Sequence, residues 1–401
     1  STAQAGWQIV GTSLGTFAYR VNANAVTELN LLGNLGHHVF RKVGDLYGII
    51  LLPETATGKQ IESARQVLIN RGAADGATSS SLYTYWDSRY DIVEFKHVNT
   101  SSVTNMNFAW SSCTALTSFP FIDTSSGTNF GYAWYLNSSL TSFPALDMSS
   151  GTAFTSTWQS CTALTSFPSG AKLGTAASNV NFTSAWQSSG LTSLPAGLDL
   201  SQGSAFNSAF ESCSSFATIG SGVLLGTANA TATVDFSSVF RSTAITELPA
   251  GLDMSQGGKF EAAFYNCTSL ATIGNGVLLG TASTSVDFSY AFYNCTNLVT
   301  LPANLNLSKG DDFQGAFRDC SSLVDFPAGA FDTMGTPHAY CFRHAWKGCS
   351  LSATSVFNIL SSIDTSGQSG PTATTTQANI YIDYNVATGA LSAATNTAIR
   401  S

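Results

Sequence analysis

Apolar and polar positions recur with a fixed phase through the middle of the chain. Between about Met106 and Leu351, ten tandem copies share one core. In each copy a large apolar residue, usually Phe, is followed three residues later by Ala (Thr157 and Val239 in two copies). A Trp or Phe comes next, and three residues further on a Cys or small polar residue. That Trp or Phe falls at Trp110, Trp134, Trp158, Trp186, Phe210, Phe240, Phe264, Phe292, Phe317 and Trp346, in steps of 24 to 30 residues. Positions −4, −1, 0 and +3 around it share one face of a 3.6-residue period. The spacing therefore predicts about two helical turns, with Phe260, Ala263, Phe264 and Cys267 facing inward in one copy. A Leu-x-x-Phe or Leu-x-x-Ile follows, as in Leu116 to Phe119 and Leu270 to Ile273. It reads as a short strand ended by Pro120, Pro144 or Pro302, or by Gly220 or Gly274, because proline cannot donate to a central ladder. One helix and one strand cannot bury their apolar faces alone, so neighbouring copies must stack into a solenoid.

The pattern Ala-[Phe/Trp]-x-x-Cys-x-x-Leu-x-x-[Phe/Ile/Leu]-Pro, with variants such as Asp123-Thr-Ser-Ser-Gly127, resembles the BspA-type leucine-rich repeat. The likeness covers about 250 of the 401 residues. It implies an α/β solenoid, a leucine-rich-repeat coil of about ten helix–strand repeats with small α+β capping regions at both ends. It also implies a binding or structural role like that of bacterial surface adhesins and bacteriophage tail-fibre or virion proteins.

Composition is consistent with such a role. Only 10% of residues are charged and the net charge is −8. Residues 1–99 carry eight Lys/Arg against eight Asp/Glu, and residues 100–401 carry eight against sixteen. An acidic repeat block argues against nucleic-acid binding, which needs clustered cations. No apolar run is long enough to span a membrane, and no secretory leader is read at Ser1.

Seven of the eight cysteines, all but Cys341, occupy the +3 position. Stacking would bring Cys267, Cys295, Cys320 and Cys349 within bridging range. Asn137, Ser189 and Thr243 replace Cys in the same slot, so a compact buried residue, not a bond, is the reading adopted. Their spacing resembles no zinc site. The Asp-x-Ser-x-Gly-x-x-Phe segments starting at Asp123, Asp147, Asp199 and Asp253 could stack carboxylates around calcium. Capping of the following helix by Asp and Ser is the better reading. The sortase-like Leu52-Pro-Glu-Thr55-Ala56, the paired glycines Gly220/Gly222 and Gly274/Gly276, the His37-His38 pair and the Asn-x-Ser/Thr sequons all read as structural or chance features. No catalytic residue, cofactor or metal ligand is assigned, and an enzyme is not expected.

The ends differ from the middle. Residues 1–100 read as an α+β capping or assembly domain, with strands over Ala25–Leu32 and Leu46–Leu52 and a helix over 57–71. Residues 101–351 form the solenoid. Residues 352–401 read as a C-terminal cap of helix, linker, strand and helix. The tail containing Ile380 and Ile382 stops where a further strand is expected, while the chain begins Gly6-Trp7-Gln-Ile9-Val10. Trp7, Ile9 and Val10 are therefore candidates for a strand that completes the terminal sheet of the next subunit, beside Ile380 and Ile382. The alternative is a strand packed within its own domain. On the repeat strands, Thr117, Thr141, Thr165 and Thr192 form a candidate ligand face. The expected partners are the chain itself, as an oligomer or filament, and a cell-surface glycan or protein. Two functions are carried forward: a surface fibre or adhesin, and a self-assembling filament subunit.

Overall fold

A computed structural model of the chain describes residues 81–83, 86–88, 90, 100–228, 233–335 and 341–367, together with the backbone of five strands between residues 7 and 52. The middle is a parallel β-solenoid. Its main sheet runs through six turns: Val180–Asn181, Gly203–Ala205, Val234–Asp235, Gly257–Lys259, Val286–Asp287 and Gly310–Asp312. Single parallel bridges continue the ladder toward the N-terminus through Asn181, Ala153, Asn129, Asn105 and Ser81. Two further strips of very short parallel strands close each turn. One includes Ser193–Leu194 beside Thr218–Ile219, and the other includes Asp253–Met254 beside Leu278–Leu279.

The expected helix–strand leucine-rich repeat is not what forms. Among the described residues the one helix is Ala353–Thr365, beyond the repeats. The segment expected to be helical is a chain of tight turns. Around Trp134, the Ala133, Tyr135 and Asn137 N–H groups each donate to the carbonyl three residues back, at 3.0, 3.2 and 3.4 Å. The intervening Phe130, Tyr132, Trp134 and Leu136 N–H groups donate instead to Ala153, Thr155, Thr157 and Gln159 of the next coil, at 2.8–2.9 Å. A helix would use every N–H within its own segment, whereas here every second one joins neighbouring coils.

The left-handed residues explain why. Positions −2 and +2 around the central aromatic have positive φ, as at Ser156 and Ser160, Ser184 and Ser188, and Ser208 and Ser212, with values of 53–60°. A left-handed residue every four positions prevents helix propagation but reproduces the same −4, −1, 0, +3 inward pattern. The +2 slot holds Ser, Asn, Asp or Gly in every coil but that of Leu136, and the −2 slot does so in half of the coils; these residues leave helices readily and tolerate turns.

Packing follows two continuous aromatic columns. The first runs Trp86, Trp110, Trp134, Trp158, Trp186, Phe210, Phe240, Phe264, Phe292 and Phe317, with stacked neighbours 5.0–5.7 Å apart. The second runs from Phe130 to Phe342 with neighbours 5.2–5.4 Å apart. Leu116, Leu140, Leu164, Leu191, Leu270, Leu298 and Leu323 close the third side, each fully buried. Gly220 and Gly274 occupy matched places where coils approach closely. A Cβ there would lie 2.5–2.6 Å from the backbone N of Ala196 or Ala250.

The C-terminal end is sealed by the helix Ala353–Thr365, close to the capping helix expected from Ser352 to Ile363. Ser355 Oγ accepts from the Phe326 N–H and donates to the Val324 carbonyl, both at 2.8 Å. Asn358 Nδ2 donates to the Phe326 carbonyl, and Ser362 Oγ accepts from the Phe331 N–H. Side chains thus replace the missing next coil. Val356, Ile359 and Ile363 cover the exposed end of the core.

Toward the N-terminus, Trp7–Thr12 pairs antiparallel with Gly15–Val21, which pairs with Val26–Asn30. Leu46–Leu52 pairs with His37–Val43 rather than with the strand at 26–30. The expected helix over 57–71 and the tail beyond residue 367 lie outside the described residues.

The turn geometry gives a sharp prediction at Ser208. In a helix, Ser208→Gly would weaken the fold. In a left-handed slot it is neutral or stabilising by up to about 1 kcal/mol, whereas Ser208→Val costs at least about 1–2 kcal/mol. Chemical denaturation of the two variants checks the sign.

Candidate functional site

Three sets of aligned side chains carry the chemistry of the solenoid, one inward and two outward. The inward set is the thiol column. Cys113, Cys161, Cys213, Cys267, Cys295, Cys320 and Cys349 are buried and form no disulfide. Each Sγ donates to the carbonyl of the central aromatic one coil back: Cys213 to Trp186 at 2.9 Å, Cys267 to Phe240 at 3.0 Å and Cys320 to Phe292 at 3.0 Å, for example. The slot therefore selects a compact hydrogen-bond donor, which is more than small size alone. Thr243 keeps a donor, which turns to the Phe240 carbonyl of its own turn at 2.8 Å. Asn137 fits least well, since its amide oxygen and nitrogen are both buried without a partner. Burial pushes the Cys161 thiol up to about 12 and the Cys213 and Cys267 thiols up to about 11, which removes thiolate chemistry at neutral pH.

The Asp turn motifs are also committed to the fold. Asp123, Asp147, Asp199 and Asp253 each accept, through Oδ1, the N–H of the Ser two residues on, at 2.9–3.1 Å. Backbone capping is found, but it closes turns rather than starting helices. Asp147 is held below the usual carboxylate range by its bonds from Ser149 and Lys172. Among the described residues no group of three or more His, Cys, Asp or Glu is placed to hold a metal ion.

The first outward set is the candidate ligand face. Thr117, Thr141, Thr165 and Thr192 are all exposed and fall in one column on the strand side. The Thr141 N–H and hydroxyl both donate to the Thr117 carbonyl, at 2.9 and 3.0 Å. Thr192 does the same to Thr165, at 3.0 and 3.1 Å. The hydroxyl protons of Thr141 and Thr192 are spent on stacking, so these two residues offer solvent their methyl groups and oxygen lone pairs. They can accept hydrogen bonds from a ligand but have little left to donate. Phe121, 74% exposed, projects four residues beyond Thr117.

The second outward set lies on the opposite, turn side and was not singled out from the sequence. It is the residue directly after the central aromatic in the last eight coils: Gln159, Gln187, Glu211, Arg241, Tyr265, Tyr293, Arg318 and Lys347. These form a continuous ladder. Gln159 Nε2 donates to Gln187 and Gln187 Nε2 to Glu211, both at 2.8 Å. Arg241 lies 3.7 Å from Glu211 and its guanidinium sits 4.8 Å from the Tyr265 ring centre. Tyr265 and Tyr293 stack at 4.6 Å, with Arg318 over the far side of Tyr293. Burial and the neighbouring Asp319 raise the Tyr293 phenol above its ordinary value. Phasing the position after the aromatic, as was done for Cys, would have found this ladder.

Of the candidate assembly strand, Trp7, Ile9 and Val10 lie in Trp7–Thr12, opposite Arg20, Ala18 and Phe17 of the same chain. Ile380 and Ile382 lie outside the described residues. No helix among the described residues is long and apolar enough to cross a membrane. No protein family, no curated protein and no solved structure matches the chain.

Two predictions follow from the thiol column. Asn137→Cys restores the missing donor toward the Trp110 carbonyl and relieves a buried unpaired amide, raising stability by about 1–3 kcal/mol in urea titration. The pH dependence has a definite sign. The folded thiols have raised pKa values, so their contribution is complete below the unfolded value near 9.0 and is lost as pH rises toward about 11–12. Melting temperatures should hold to about pH 9 and then fall, with a smaller fall in a Cys161→Ser/Cys213→Ser/Cys267→Ser variant.

Proposed function

We propose that this chain is a non-enzymatic surface-binding protein, acting outside the cell or on a virion, of the phage-fibre or adhesin type. The observation that carries this reading is the contrast between inside and outside. Buried titratable chemistry is committed to holding coils together, while outward positions line up from coil to coil, as four successive threonines on the strand side and as a mixed polar and aromatic ladder on the turn side. Such columns can make many weak contacts at once, so that modest individual interactions add to useful avidity. The resemblance to BspA-type surface repeats points the same way. The favoured partner is a cell-surface glycan or protein met by the strand face at Thr117, Thr141, Thr165 and Thr192.

A second reading, a head-to-tail filament, draws support from Trp7–Thr12. It is an edge strand in its sheet as far as the described residues extend, paired on one side with Gly15–Val21. Edge strands can add a strand from another copy. In that reading the chain's principal partner is itself.

A glycan array separates these proposals. The binding reading predicts a signal with the intact chain that is lost when the four threonines become valine, a change that keeps shape while removing the hydroxyl oxygens, with circular dichroism unchanged. Retention of the full signal in that variant would exclude the threonine face. Regular fibres in electron micrographs together with a blank array would favour the filament.

A further inference from the structure

The ladder on the turn side changes character along its length. At its C-terminal end it becomes cationic within an otherwise acidic solenoid. Among the described solenoid residues, Lys172 is paired with Asp147 at 3.0 Å and Lys259 with Asp235 at 3.7 Å, each across adjacent coils. Lys309 stands apart, at the entry to the main sheet. The remaining four cations, Arg241, Arg318, Arg343 and Lys347, all belong to the turn side, and three of them fall on its last two described coils.

Backbone register fixes their proximity. The Gly315 N–H donates to the Arg343 carbonyl at 2.9 Å, and the Asp319 N–H donates to the Lys347 carbonyl at 2.7 Å. Lys347 therefore occupies the same column as Arg318, one coil on. Arg343 and Lys347 are exposed and make no side-chain ion pair among the described residues. Stacking like charges on neighbouring coils is destabilising. Within this cluster the Asp319 carboxylate lies 3.4 Å from Arg318 and also bonds the Tyr293 hydroxyl, and the outer two cations have no ion pair among the described residues.

We infer that Arg318, Arg343 and Lys347, extended along the column by Tyr293, Tyr265 and Arg241, form a binding strip for an anionic polysaccharide. The sugar chain runs along the solenoid axis, with its carboxylate or sulfate groups on the unpaired cations. Tyrosine hydroxyls and guanidinium N–H groups line the same edge for sugar hydroxyls. The inference rests on the surface-binding reading and supplies it with a second face and a ligand class. A polynucleotide fits less well. Base recognition in single strands uses open aromatic faces, and here the Tyr265 and Tyr293 faces are covered by each other and by Arg241 and Arg318. Glu211 and Glu261 nearby would also repel a dense phosphate backbone.

The test is binding of the full chain to immobilised polygalacturonate, heparin, neutral dextran and single-stranded DNA at low and raised salt. The expected result is salt-sensitive binding to one or both acidic polysaccharides and none to dextran. Polygalacturonate and heparin distinguish carboxylate from sulfate recognition. Arg343→Gln/Lys347→Gln should weaken that binding at least about tenfold, without lowering the melting temperature, since neither side chain has an ion-pair partner among the described residues. Equal binding by variant and parent overturns the strip. Binding confined to neutral glycans overturns the strip but leaves the surface-binding reading standing, whereas a chain that binds no glycan on this panel or on the array removes the strip and restricts the surface-binding reading to a protein partner. Tighter binding to DNA than to either polysaccharide overturns the ligand class.

Discussion

Face-to-face stacking of one aromatic ring per coil is the constraint on which the rest of this solenoid depends. Rings 5.0–5.7 Å apart match the spacing at which adjacent backbones can exchange hydrogen bonds. Once Trp158 sits on Trp134, the N–H groups of residues 130, 132, 134 and 136 meet carbonyls of the next coil. Two of those four donors, Tyr132 and Leu136, are the left-handed residues of the turn. A helix in the same place would turn those N–H groups inward on itself and leave adjacent coils joined by side chains alone. Stacked pairs contribute about 0.5–1.5 kcal/mol beyond simple burial, and repetition along two columns turns a modest term into the organising one.

Much of this was legible in the sequence, and the part that was not has a physical cause. The phase of the aromatic, the inward Leu and the Cys slot were all readable, because burial alone imposes them. The conformation between them was misread, since −4, −1, 0, +3 fits both two helical turns and a run of four-residue turns. The deciding signal lay at the polar positions. Ser, Asn, Asp and Gly recur at −2 and +2, as in Ser208 and Ser212 or Gly315 and Asp319, where a helix would favour Ala, Leu, Glu or Lys. The capping helix was readable from Ser352 onward because its apolar residues and N-cap have no competing interpretation. The thiol column was placed correctly but only half explained, since hydrogen bonding to a carbonyl in the preceding coil depends on register that a single repeat does not reveal.

The same stacking that holds the core also organises the surface. Any outward position occupied by one residue type in successive coils becomes a row with the coil spacing. The threonine row on the strand side is a product of that rule, and the same coil spacing lets the unlike residues of the Gln–Glu–Arg–Tyr ladder bond or stack with their neighbours on the turn side. Their difference is chemical. Thr141 and Thr192 have spent their protons on the preceding coil, while Arg343 and Lys347 at the cationic end of the turn ladder have no ion-pair partner among the described residues. The proposed binding role rests on such rows, whereas catalysis would require unlike groups to converge on one point.

The most direct test of the central claim is a double-mutant cycle between Phe264 and Phe292, whose rings stack at 5.0 Å in adjacent coils. Each is replaced by Leu, singly and together, and unfolding free energies are compared with those for the Phe264 and Phe317 pair, two coils apart. The stacking account predicts a coupling of about 0.5–1.5 kcal/mol for the adjacent pair and additivity for the separated pair. Strict additivity in both pairs would contradict it, leaving the aromatics as space-fillers and the backbone ladder as the organising element.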